Sequence, residues 1–379
     1  MLIFFLVALT IYFLTNLYIF LKGLKVIPST GNYRLFYTVA FIVLASTFIV
    51  GKILERSNST VFTDILNIIG GFWLGFMLYG FLFLLLSDIS LLILRLSGII
   101  KGCDVLLFRK WSFLITLGIS VILITGGFIN ALLPVVKKYD IVIDKPAGGL
   151  KNLRIAAVSD IHLGSIIRKR SIKKLSAILQ KSNADLILLL GDIVDGEIGP
   201  VLRGDLLSYF TCPRCKDGLL AITGNHEFIG GASVTIPYIE KYGIRILMDE
   251  VVTLEGGIQI VGRIDRDGFR FTGKQRLSLG DLMSNIDKTR PVILLDHQPV
   301  KLDEAEQAGV DLQLSGHTHN GQLWPLNYVT RMIYEVSYGY KRKSNSQFIV
   351  SSGFGIWGPR IRSGSRSEVM LINITFRGY

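Results

Sequence analysis

The chain has 379 residues, half of them hydrophobic, and 41 Lys and Arg against 29 Asp and Glu leave a net charge of +12. No nucleic-acid-binding motif accompanies that charge, so DNA and RNA are set aside as partners, and the basic excess is assigned to membrane topology and anionic lipid. The three cysteines cannot build a tetrahedral zinc site: Cys103 stands alone, and Cys212 and Cys215, in CPRC, have no partner pair.

In chain order, residues 1–21, 35–51, 65–87 and 111–136 contain no charged side chain. Each is long enough for a transmembrane helix, which takes about 17–25 residues. The first lacks a basic start and a small-residue cleavage site, so it reads as a permanent helix rather than a signal peptide. Residues 1–136 are therefore predicted to be transmembrane helices and residues 137–150 a linker with one extended piece, YDIVID. Residues 151–379 form a soluble domain. The first and third loops hold seven Lys and Arg and the second holds two. Basic short loops stay in the cytoplasm, which places the soluble domain of this multi-pass chain outside it, although Lys137, Lys138 and Lys145 pull the other way. Cys212 and Cys215 can be a disulfide, free thiols or incidental.

The soluble domain alternates short apolar runs with polar turns. Residues 154–158 end in SDIHLG, 186–190 in GDIVDG, 219–222 in TGNHE, 292–295 in DHQP and 312–314 in SGHTHNGQ. Continuous apolar runs of this length suit strands buried on both faces, and residues 169–182 carry helical spacing. Later stretches (251–263, 347–352 and 368–374) read as strands without intervening helices. The fold class is α/β, with mixed sheets in two layers packed between helices.

All five histidines, His162, His226, His297, His317 and His319, fall in those strand-end turns. Asp160 and His162 are two apart, as are His317 and His319, so each pair can point to one side of an extended turn. Asp192 and Asn225 each follow a glycine. Imidazole, carboxylate and amide oxygen together suit Mn, Fe, Zn or a similar divalent ion rather than Ca.

The turns D-x-H, G-D-x-x-D, G-N-H-E, H and G-H-T-H occur in order at Asp160/His162, Gly191 to Asp195, Gly224 to Glu227, His297 and Gly316 to His319. Over residues 153–374 the chain thus resembles the calcineurin-like metallophosphoesterase superfamily, in particular its membrane-associated bacterial branch of UDP-2,3-diacylglucosamine pyrophosphatase-like enzymes. The resemblance implies an αββα domain and two divalent metal ions, with Mn favoured. Asp160, His162 and His319 would bind the first metal and Asn225, His297 and His317 the second. Asp192 would bridge them, and His226 would act beside them on the leaving group. Asp195 and Glu227 are candidates to orient these ligands or to cap turns. Arg360 and Arg362 could meet a substrate phosphate, and Gln322 and Trp324 could line the pocket or pack. Asn320, where the branch commonly has glycine, and Asp265, in GRID rather than GVDD, depart from the pattern and bear on substrate preference.

The function expected is a membrane-anchored dinuclear-metal hydrolase of phosphate esters. Its substrate is a membrane lipid or a lipid-linked phosphodiester or pyrophosphate. The alternatives are a phosphomonoesterase, protein phosphatases included, and a catalytically inactive sensor or scaffold. Oligomeric state is not legible.

Overall fold

The computed structural model describes residues 2–102, 104–210 and 218–378. Cys103, Cys212 and Cys215 lie outside the described residues. The chain divides into a helical unit, Met1–Ile129 with Gly358–Ile361, and an α/β unit, Asn130–Trp357 with Arg362–Tyr379.

The helical unit contains α1 (Leu2–Leu24), α2 (Tyr33–Ser57), α3 (Val61–Leu96) and α4 (Asp104–Ala131). All four are long and apolar enough to cross a membrane. They outrun the uncharged stretches because long charged side chains such as Lys22, Arg34 and Arg95 sit in end turns, where their heads can reach water. Thr60 starts α3 with a reciprocal cap: its hydroxyl accepts from Thr63 N at 3.3 Å and its own N–H donates to Thr63 Oγ1 at 2.9 Å. Inside, Trp73 packs edge-on against Phe41 at 4.9 Å and donates from Nε1 to Asn16 Oδ1 at 2.9 Å. Asn16 Nδ2 donates in turn to Tyr12 O at 2.8 Å and Met77 Sδ at 3.2 Å. Exposed Leu, Ile and Phe dominate the outward surface.

The α/β unit is two six-stranded sheets packed face to face. The first runs β1 (Val135–Ile143), β12 (Glu368–Phe376), β2 (Asn152–Val158), β3 (Leu186–Leu190), β4 (Leu219–Ile222), β5 (Ile244–Leu247). The second runs β10 (Gly339–Lys343), β11 (Ser346–Val350), β9 (Leu312–Ser315), β8 (Val292–Leu295), β7 (Gln259–Gly262), β6 (Glu250–Thr253). Both are mixed: β2 to β5 are parallel and β12 is antiparallel to β2, while β11, β9, β8 and β7 are parallel with antiparallel edges β10 and β6. Alternate residues divide the work, as the two-residue period of a strand requires. Ile155, Leu188, Ile222 and Ile372 meet Ile260, Ile293, Leu314 and Ile349 between the sheets. Val261, Leu294 and Phe348 turn outward to α10 (Leu279–Leu282) and α11 (Leu302–Ala308). On the far face of the first sheet, α5 (Lys169–Lys181) buries Ile172, Leu175 and Leu179. The short helices α6 (Gly199–Gly204), α7 (Asn225–Ile229), α8 (Ala232–Glu240), α9 (Gly268–Thr272) and α12 (Leu326–Ile333) fill the connections. The expected αββα layering holds.

Two boundaries differ from the sequence reading. The fourth apolar run ends as a helix at Ala131, because Pro134 supplies no N–H to continue it. Residues 137–150 are not a free linker: Val135–Ile143 is β1, paired in parallel with β12 from Val135↔Glu368 to Ile143↔Phe376. Its Ile141 and Ile143 enter the inter-sheet core, so burial, invisible locally, made a strand of the presumed tether. Only residues 132–134 separate α4 from β1.

Candidate metal centre

The C-terminal ends of β2, β3, β4, β8 and β9 converge, and each delivers one of the motif turns. Several turn residues hold left-handed backbone: Asp160 (φ 52°), His162 (φ 50°), Asp192 (φ 52°), His317 (φ 68°) and His319 (φ 48°). Non-glycine residues rarely adopt it, and such strain collects where a site fixes its side chains. Gly191 (φ 86°) lets the β3 turn pass between neighbours, since a Cβ there would lie 2.7 Å from both Gly224 N and His297 Nδ1.

The seven expected metal ligands and His226 are brought together here. The ligand atoms of Asp160, His162 and His319 lie within 4.8 Å of one another, as do those of Asp192, His297 and His317. Asn225 Oδ1 is 3.1 Å from His317 Nδ1. His226 stands at the side, its ring 4.6 Å from that of His162, while its backbone N–H donates to Asp192 Oδ1 at 2.8 Å.

The protonation pattern follows from the partners. His297 Nδ1 donates to Leu190 O at 2.6 Å, so in the neutral ring Nε2 is a bare lone pair. That Nε2 is fully buried, has no hydrogen-bond partner, and lies 3.2 Å from Asp192 Oδ2. His162 Nδ1 faces Asp195 Oδ1 at 3.0 Å, which turns its Nε2 toward His319 Nε2 at 3.1 Å and Asp192 Oδ2 at 3.7 Å. Acceptors facing acceptors in a buried place are unfavourable unless a cation lies among them. The residues therefore fit a pair of bound metal ions.

Burial opposes ionisation of Asp192, but the surrounding His297, His226 and His162 outweigh it and hold the carboxyl well below its usual value. For His162 and His297 the carboxylates win over burial and raise the imidazole pKa. For His317 burial dominates and pushes it down to about 4.

Supporting side chains lock the turns. Glu227, 1% exposed, accepts from the backbone N–H groups of Asp192, Ile193, Val194 and Gly224 at 2.7–3.0 Å. Asp195 holds His162 and lies 3.4 Å from His226 Nδ1. Glu227 thus caps the turns that carry Asp192 and Asn225, and Asp195 orients His162. Asp160 accepts from Ser159 Oγ and from His317 N.

Other expectations change. Arg362 does not reach a substrate: it is fully buried and donates to Gly353 O, Gly355 O, Ser365 Oγ and Arg366 O, with Nη2 3.2 Å from His319 Nδ1. Arg360 belongs to the helical unit, its guanidinium 5.9 Å from the centre of the Phe128 ring. Gln322 packs, clamping the backbone of Trp357 through Nε2 to O at 2.8 Å and Oε1 from N at 3.1 Å. Asp265 is also internal: both its oxygens accept from Gln298 Nε2 at 3.1 Å, and burial pushes its carboxyl up to about 6. Gln298 follows His297 directly, a signal that could have been read. Tyr334, whose ring lies 6.3 Å from that of His317, had none.

Comparison with known proteins agrees with this geometry. A family model described as calcineurin-like phosphoesterase matches residues 153–321. An uncharacterized metallophosphoesterase of Aquifex aeolicus is 32% identical over 246 residues, 64% of this chain and 92% of that one. One from Campylobacter jejuni is 29% identical over 379 residues and 98% of each chain, the helical unit included. A bovine transmembrane protein with metallophosphoesterase domain is 27% identical over 66% of this chain and 60% of its own.

Proposed function

The chain belongs to the calcineurin-like metallophosphoesterase family and is a metal-dependent phosphoesterase, and on that premise we propose that it is a membrane-anchored two-metal hydrolase of lipid-linked phosphodiesters or pyrophosphates. The observation that carries the two-metal reading is the set of buried acceptors turned toward one another around Asp192. In this proposal Asp160, His162 and His319 would hold one ion and Asn225, His297 and His317 the other, with Asp192 shared between them. Mixed nitrogen and oxygen donors favour Mn, with Fe and Zn as alternatives. When bound, two such cations draw electron density from the phosphoryl oxygens and make a nearby water more acidic.

The chain's own groups do the rest. Asp195 Oδ1 lies 3.4 Å from Nδ1 of His226, whose side chain is 12% exposed at the edge of the cluster. Burial, against the pull of Asp192, lowers the pKa of His226, so its protonated ring gives up a proton readily to a departing alkoxide. Glu227 holds the Asp192 turn by accepting from three successive backbone N–H groups.

The lipid reading is supported by the connection to the helices. Residues 132–134 span at most roughly 14 Å from α4 to β1, so the α/β unit works close to the bilayer. Its excess of about seven positive charges favours an anionic surface. We place this unit outside the cytoplasm, because the α1–α2 and α3–α4 ends carry most of the basic residues.

The decisive experiment is a product-resolved screen of phosphomono- and diesters with Mn, using the full-length protein in detergent and the Asp192→Asn variant as control. Equal activity of the two proteins would remove the metal-centre reading. Equal kcat/KM for a lipid-linked ester and its short-chain analogue would remove the lipid reading. Reporter fusions after residue 150 that are active only in the cytoplasm would reverse the topology.

A further inference from the structure

The helix α12 is amphipathic the wrong way round for a water-soluble domain. Its sequence, LNYVTRMI, places Leu326, Tyr328, Val329, Met332 and Ile333 on one arc and Asn327, Thr330 and Arg331 on the other. A surface helix turns its apolar arc inward. Here none of its residues is buried: Met332 is 78% exposed, Ile333 67% and Tyr328 54%, while the polar Asn327 and Thr330 are half-buried against the protein. Trp357, 59% exposed, is tied by its backbone to Gln322, in the turn that leads into α12.

This helix is fastened to the metal centre at both ends. Its first turn presses on Gly321, two residues after His319, so closely that a Cβ there would meet the backbone of Leu326 and Asn327. Past its last residue, the ring of Tyr334 lies 6.3 Å from that of His317. The apolar arc is therefore flanked by the segments that carry His317 and His319.

We propose that the outward arc of α12 inserts into the interfacial layer of the lipid bilayer and seats the active site on the membrane surface. This rests on the reading of the chain as membrane-anchored. Two observations favour a bilayer over another protein. The connection at residues 132–134 keeps the start of β1 within a few residues' reach of α4. The arc combines aliphatic side chains with Tyr and neighbouring Trp, the composition that partitions to the headgroup boundary, and Arg331 lies on its polar side, over the ring of Tyr328 at 5.9 Å. The consequence for specificity is that an ester whose chains remain in the bilayer presents its phosphate without leaving the lipid.

The test uses full-length protein in nanodiscs of mixed zwitterionic and anionic phospholipid. A benzophenone residue is placed at position 332 and, as control, at the exposed Lys241 position near α8. Illumination is expected to give lipid adducts at 332 and none at 241. Chain-to-chain crosslinks at 332, or no lipid adduct there, would overturn the proposal. A second variant, Met332→Asp with Ile333→Asp, is expected to lose roughly ten-fold in kcat/KM on a bilayer-embedded ester and to keep its rate on a soluble aryl phosphodiester. An equal loss on both substrates would show that α12 shapes the site rather than docks it, and would also overturn the proposal. Lipid adducts at 332 without any preference for embedded esters would leave the docking in place and remove the lipid-substrate reading alone.

Discussion

Two buried polar networks in this molecule are built on opposite terms. In the helical unit, Asn16 is complete: its amide donates to Tyr12 O and Met77 Sδ and accepts from Trp73 Nε1. At the strand ends of the α/β unit, Asp192, His297, His162 and His319 point acceptors at one another, and His297 Nε2 finds no partner. A satisfied network holds helices together and does no chemistry. An unsatisfied one is stable only with positive charge among its members, so its incompleteness is what makes it a site.

The sharpest way to test that difference is Asp192→Asn, which removes the negative charge shared by both halves of the cluster. Activity is expected to fall below detection, and metal analysis should show the loss of at least one ion, with the helix content of the chain unchanged by circular dichroism. His226→Ala comes next. It should retain metal and lose roughly 10²–10⁴-fold in rate, with the smaller loss on substrates that have good leaving groups. Equal losses for good and poor leaving groups would make His226 a positioning residue.

The pH dependence of metal binding is a milder probe of the same incompleteness. His162 and His297 have raised pKa values without metal, so as pH falls through those values each ring binds a proton that competes with a cation. Affinity is therefore expected to rise with pH and to level off above the raised values, by about tenfold per pH unit for each proton displaced, measurable by isothermal titration. Flat affinity across that range would mean that neither ring exchanges a proton for an ion. The smallest effect belongs to the complete network. Asn16→Leu should cost about 0.6–2 kcal/mol of helical-unit stability and leave the rate on a soluble ester unaltered. A loss of rate there would show that the two networks are coupled.

The site was legible because its residue types have little other reason to be where they are. Five histidines at four strand ends cannot be explained by packing, and Asp160/His162 and His317/His319 advertise their spacing. What stayed hidden depended on long-range partners. Nothing local in residues 137–143 shows that they pair with residues near the C-terminus. Arg362 carries the same charge as a substrate-binding arginine, and only the surrounding carbonyls of Gly353, Gly355 and Arg366 reveal that it is internal. The amphipathic pattern of α12 was present in the sequence, but the direction of its apolar arc is a property of what it packs against. The strand that begins beside Pro134 is visible only through a distant acceptor, Ser367 O, which receives the N–H of Val135.

The placement of β12 between β1 and β2 also has a consequence for how the protein is made. The ribosome delivers β1 directly after α4 and delivers β12 last of all the strands. Throughout elongation, β1 and β2 each present an unpaired edge to the surroundings, and no neighbour made in between can close it. Such edges recruit other chains, and pairing across so much sequence is slow. A ribosome that stalls before residue 368 therefore releases a chain with its helices complete and its first sheet split. A chain truncated before β12 is therefore expected to associate through those edges rather than to give a shortened active enzyme.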